Sequence, residues 1–201
     1  MTALQETDID RLSELANIGA GHAAGAFAQL TGRSIKMKVP RIRLSGLPID
    51  VRQGEIVIGE ATPSGWEDRD WTTGVIFEFD GCLNAVVAIL FRRSMRDAVV
   101  RNLIGQAEGY LPPETVESAL MEVGNVLASH VASAIAETLG ARLLPSIPML
   151  ALDSAFEQLE SVTESRNSAG ELWIECELVD DEGNLGGMVV LVPDLEPIEP
   201  S

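Results

Sequence analysis

Two short polar stripes hold the residues best placed to do chemistry. In the first, Asp10, Glu14 and Asn17 recur at helical spacing and are followed by Pro40; in the second, Ser118, Glu122, Asn125 and Pro148 repeat the pattern with every residue displaced by 108. Both read D/S-x3-E-x2-N-x22-P. At about 100° per residue each trio falls within about 60° on a helix surface, so carboxylate and amide face the same way. An asparagine inside a helix costs on the order of 0.6 kcal/mol against alanine. One such stripe is what a solvated helix face or a helix–helix hydrogen bond leaves behind, but the same four residues occurring twice across an identical gap argue for function. Asp10 and Ser118, one turn earlier, extend the contact surface or solvate the helix. Pro40 and Pro148 cannot donate a hydrogen bond and read as structural markers of the strand after each helix.

Competing chemistries are poorly represented. The sequence has two histidines, no H-E-x-x-H, no G-x-S-x-G and no Walker-type lysine. His22 and His130 obey the same offset but lie about 140° around the helix from the asparagines, which suits packing or a flanking position. The run GAGHAAG at 19–25 follows no strand and reads as close helix packing, not as a dinucleotide loop. Cys82 and Cys176 stand alone, without C-x-x-C spacing, so they are expected to be reduced core residues rather than zinc ligands.

The elements that must position the stripes also come in pairs. Residues 8–31 are predicted to form a helix with Leu12, Leu15, Ala16, Ala23, Phe27 and Leu30 toward the core, Asp8 as N-cap and Gly32 as stop. Residues 114–139 repeat the design with Leu120, Val123, Leu127, Val131, Ile135 and Leu139, started by Pro112 and Pro113 and closed by Gly140. Each helix leads into an extended run ending in proline, 35–40 and 142–148, and later a β-hairpin, 73–91 and 171–192. A shorter amphipathic helix is expected at 94–105. Residues 54–61 could form a short strand, and Trp66 and Trp71, in an acidic loop, are expected to cap a sheet edge, with a binding feature as the alternative. The resulting fold class is α/β: a pseudo-twofold duplicated unit with a roughly six-stranded antiparallel sheet, two long motif-bearing helices side by side and a shorter middle helix. One domain over 1–192 is expected, made of repeats at about 8–105 and 114–192, with a disordered acidic tail at 193–201.

Bulk composition excludes further classes. Of 201 residues, 46% are apolar, enough for a substantial core. Thirty-one acidic against 14 basic side chains give a net charge of −17, which repels nucleic acid and anionic membrane surfaces. The first residues lack a signal-peptide pattern, and no apolar run approaches the ~20 residues of a membrane span. A cytoplasmic location is expected.

The segments ELANIGAGHAA and MEVGNVLASHVASAIAETLGARLLPSIP resemble the two signature helices of the CheC phosphatases, relatives of CheX and of the phosphatase part of FliY, and the resemblance covers nearly the whole chain. It implies hydrolysis of the aspartyl phosphate of a CheY-like response regulator, in chemotaxis or related two-component signalling. The implied catalytic residues are Glu14, Asn17, Glu122 and Asn125. In that scheme the glutamates anchor the receiver through its lysine, and the asparagines position the attacking water, since an amide both donates and accepts. No metal or cofactor of the chain's own is expected; Mg²⁺ is expected on the phosphorylated receiver. The alternative is a non-catalytic binding module for a response regulator or for the receptor deamidase CheD. A flagellar switch component is expected to carry an added C-terminal switch domain, which residues 1–201 do not show.

Overall fold

A computed structural model describes residues 6–44, 47–52, 55–58, 70–166 and 172–194. The expectations for Trp66 and its loop, and for a disordered tail from 195 onward, lie outside the described residues.

The first helix, α1 (Glu6–Thr31), buries Ile9, Leu12, Leu15, Ala16, Ala23 and Phe27 on one side. Asp8 stands inside this helix and is not its N-cap. Short strands β1 (Ile35–Met37), β2 (Arg41–Leu44), β3 (Leu47–Arg52) and β4 (Glu55–Ile58) follow. Next come the hairpin β5 (Thr73–Gly81) and β6 (Ala85–Phe91) and the middle helix α2 (Arg93–Ile104). The second long helix, α3 (Pro113–Leu139), has Pro112 at its N-cap and ends on Gly140 at φ 63°. That left-handed conformation lets the Gly140 N–H turn back to the last helical carbonyls, and glycine adopts it without a Cβ penalty. Beyond it lie β7 (Leu143–Pro145), β8 (Met149–Ala151), α4 (Ala155–Ser165), β9 (Leu172–Asp180) and β10 (Gly186–Pro193).

All the strands pair antiparallel in one sheet of order β4-β3-β2-β9-β10-β6-β5-β7, with β1 also on β9 and β8 also on β5. The expected hairpins form its centre. The ten strands exceed the roughly six anticipated because each proline-ended run is split in two and because β3 and β4 extend one edge. The pairing also crosses between halves: β1 and β2 from the first half line β9 of the second, while β7 and β8 from the second line β5 of the first. Neither half completes its sheet edge alone.

The central strands are apolar on both faces because both faces are covered. On β6, Val87, Ile89 and Phe91 enter the core beneath α1 and α3, whereas Val86, Ala88 and Leu90 enter a second core on the opposite face. That second core is roofed by α4 through Ala155 and Leu159, and it contains Trp71 and Trp173. α4 is not among the expected elements, although Ala155, Leu159 and Thr163 repeat every four residues and are all buried. Trp71 is thus a core residue, covered by the Arg92 guanidinium 4.7 Å from its ring centroid.

Candidate active site

Helices α1 and α3 pack against each other on one face of the sheet. Of the glycines in the GAGHAAG run, Gly19 is the close-approach residue: a Cβ there would lie 3.0 Å from Val131 Cγ1, whereas one at Gly21 or Gly25 would meet open space. By length and composition α3 could cross a membrane, but Leu120, Val123, Leu127, Val131 and Ile135 are spent on the core. Its outward face carries the second stripe.

Both stripes face outward as their spacing predicts. Asp10, Glu14, Ser118, Glu122 and Asn125 are exposed, and Asn17 is half-buried. No hydrogen bond or ion pair to any described residue engages the side chains of Glu14, Asn17, Glu122 or Asn125, so their polar atoms are left for water or a partner. His22 and His130 are exposed on the flank. Among the described residues, no three His, Cys, Asp or Glu side chains gather as a metal would require.

The first stripe borders a shallow groove lined by Ser13, Glu14, Asn17, Met37, Lys38, Val39 and Pro40. Residues far apart in sequence thereby meet: Glu14 and Asn17 from α1 face the chain between β1 and β2. Lys38 is held there at both ends. Its backbone N–H donates to the Glu177 carbonyl at 2.8 Å, and its ammonium donates to the Glu177 carboxylate at 2.9 Å. Arg92 donates to the other oxygen of that carboxylate at 3.4 Å.

Pro40 has a definite structural effect. β1 pairs with β9 up to Met37↔Leu178, and β2 resumes the ladder at Arg41↔Glu175. Lys38, Val39 and Pro40 therefore oppose only Cys176 and Glu177, which is a bulge of one extra residue. Proline cannot supply a ladder N–H, so the break falls there. The second half repeats this geometry. Pro145 pairs with Phe79 and Met149 with Ile76, so Ser146, Ile147 and Pro148 oppose Phe77 and Glu78. The Ser146 N–H donates to the Glu78 carbonyl at 2.7 Å, as Lys38 does to Glu177, and the Glu78 N–H donates to Ser146 Oγ at 3.0 Å.

Each bulge apex carries a residue that lies outside the motif. Val39 is 86% exposed and Ile147 is 91% exposed. Each directly precedes a motif proline, so the signal was present, but nothing local announces that an apolar residue in an extended run will be thrown outward.

Beneath the stripes the two helices rest differently on the sheet. A Cβ at Gly124, between Glu122 and Asn125, would stand 2.6 Å from Val75 Cβ, so α3 lies directly on β5 at that point. The same position in α1 is Ala16, whose carbonyl accepts from Cys176 Sγ at 3.9 Å. Burial, with the Glu175 carboxylate adding to it, pushes the Cys176 thiol up to about 12.

The CheC-like family matches residues 9–43, which span the first stripe and its bulge. Over 98% of the chain, the sequence is 26% identical to the CheY-P phosphatase CheC of Bacillus subtilis, covering 92% of that protein. Among solved structures, Thermotoga maritima FliY superposes with a TM-score of 0.64 at 16% identity, covering 98% of this chain and 95% of that one. A chain of the CheX–CheY–BeF3–Mg²⁺ complex from Borrelia burgdorferi superposes with a TM-score of 0.55 at 14% identity, covering 88% and 96%. These structural likenesses establish a shared α/β fold.

Proposed function

We propose that this chain, which belongs to the CheC-like family, is a cytoplasmic phosphatase that hydrolyses the aspartyl phosphate of a CheY-like response regulator. The observation that carries the reading is the pair of outward Glu/Asn stripes whose polar atoms have no partner among the described residues, one of them beside a groove that the second part of its own motif completes. An acyl phosphate is already activated, and the Mg²⁺ carried by the receiver supplies charge neutralisation at the phosphoryl oxygens. What this chain supplies is placement. Asn17 or Asn125 holds a water by its amide, the water oxygen bonds to phosphorus, the bond to the aspartyl oxygen breaks, and inorganic phosphate leaves a free carboxylate. Glu14 or Glu122, one turn away on the same face, accepts from a cationic side chain of the receiver and fixes the approach. The relative from Bacillus subtilis, named for action on CheY-P, supports the substrate class.

The test is phosphate release from a phosphorylated CheY-like receiver with and without the protein. Wild type should accelerate release, and the Asn17→Ala plus Asn125→Ala double variant should lose about 100-fold or more of that acceleration. Full activity in the double variant would overturn the reading. Tight receiver binding by wild type without turnover would instead identify a sequestering module.

A further inference from the structure

Val39 and Ile147 are the anomaly left unused by the mechanism. An apolar side chain almost fully in water is uninformative when it is alone on a surface. Here two occupy equivalent bulges, each just before a motif proline, with exposures of 86% and 91%. The local geometry holds them there. A ladder hydrogen bond precedes each apex, from Lys38 to Glu177 and from Ser146 to Glu78, and the following proline confines the apex residue to extended backbone. Val39 also lines the groove with Glu14 and Asn17, so a partner seated on that stripe meets it.

We propose that Val39 and Ile147 are apolar anchors for the phosphorylated receiver, each pressing on an apolar patch beside the receiver's phosphoaspartate, and that Ile147 is the stronger of the two. This rests on the phosphatase reading for the identity of the occupant. The rims account for the ranking. In the same edge run as Ile147, Leu144 is 55% exposed and Met149 is 39% exposed. The residues at the corresponding places around Val39 are Lys36 and Arg41, which are paired with Asp181 and Glu175. The second run thus exposes two further apolar side chains, where the first has salt-bridged Lys36 and Arg41, with half-buried Met37 in its groove. The prolines acquire a task in this arrangement: they break the strand run after each long helix and so hold the apex residue outward.

The anchors are tested by the affinity of a CheY-like receiver loaded with Mg²⁺ and beryllofluoride, a readout independent of turnover, in single-site backgrounds. In the Glu14→Ala plus Asn17→Ala background, where only the second site keeps its docking glutamate, Ile147→Ser should weaken binding and raise KM by about 10-fold, and Ile147→Leu should restore both. In the Glu122→Ala plus Asn125→Ala background, Val39→Ser should weaken binding by about 3-fold. Melting temperatures should not change, because both side chains are in solvent already. Unchanged affinity in both serine variants overturns the anchors, as does failure of wild type to bind the loaded receiver. Weakened binding by Ile147→Ser together with absent turnover in wild type upholds the anchors while removing the phosphatase reading.

Discussion

The two stripes share their glutamate, their asparagine and their bulges but not their surroundings. Around the first, Lys38 is clamped by Glu177 and Asn17 is half-buried in a groove. Around the second, Ser146 stands where Lys38 would, Asn125 is exposed, and the rim is apolar. Below the stripes, Cys176 lies under Ala16 in one half, while Val75 presses on Gly124 in the other. The Glu/Asn pattern has the same spacing in both halves, while its support and rim differ. The lesson is that the same pair of side chains at the same spacing can rest on different supports and stand among different rims.

The largest effect that separates the sites should come from Gly124→Ala. On an exposed helix this change stabilises by about 1 kcal/mol. Here the new methyl has to displace buried, β-branched Val75 on a central strand, so a net loss of about 1–3 kcal/mol is expected. Thermal melting measures that loss, and Val75→Ala in the same chain should recover part of it. Turnover should fall when the second site acts alone, in the Asn17→Ala background, and hold in the Asn125→Ala background. Equal loss in both would remove the distinction in support.

Salt should produce a smaller separation. On the proposed reading, a receiver bearing phosphoaspartate would meet Lys38, salt-bridged to Glu177, at the first site and an apolar rim at the second. Raising ionic strength from 50 to 500 mM should therefore increase KM about 3-fold at the first site and less at the second. Lys38→Ser in the Asn125→Ala background should flatten that dependence. Steady-state rates across a salt series decide it, and parallel curves for the two sites would refute the electrostatic contrast.

The smallest effect concerns Cys176. Its thiol is pushed up to about 12 by burial, so above pH 9 the unfolded chain releases a proton that the folded chain retains. The unfolded state then binds fewer protons, and the stability present below pH 9 declines as pH rises toward 12. Cys176→Ala should reduce this alkaline slope, measured as denaturant midpoints between pH 8 and 10.5. A variant with an unchanged slope would show that the thiol is not the group responsible.

Much of the site was legible because it depends on local rules. Asn17 and Asn125 could be placed beside their glutamates from helical periodicity alone, and Gly32 and Gly140 marked where the helices stop. Asp8 misled because it is a good capping residue that the chain uses inside the helix instead. α4 carried a readable four-residue repeat, but the run between proline and hairpin was too short to announce which face of the sheet it covers. Val39 and Ile147 were invisible as anchors, since an apolar residue in a strand-like run is ordinarily a core residue.

What the amino-acid sequence by itself determined is the periodic part: two long helices, two outward Glu/Asn stripes and two central hairpins, each set by spacings of a few residues. Only the tertiary structure decided that β1 and β2 pair with β9 and that β7 and β8 pair with β5. Those exchanges put the motif prolines opposite strands from the other half, where one extra residue must bulge and expose its neighbour. Strand partners and register are chosen by long-range burial across the whole sheet, and no local spacing along the chain encodes them.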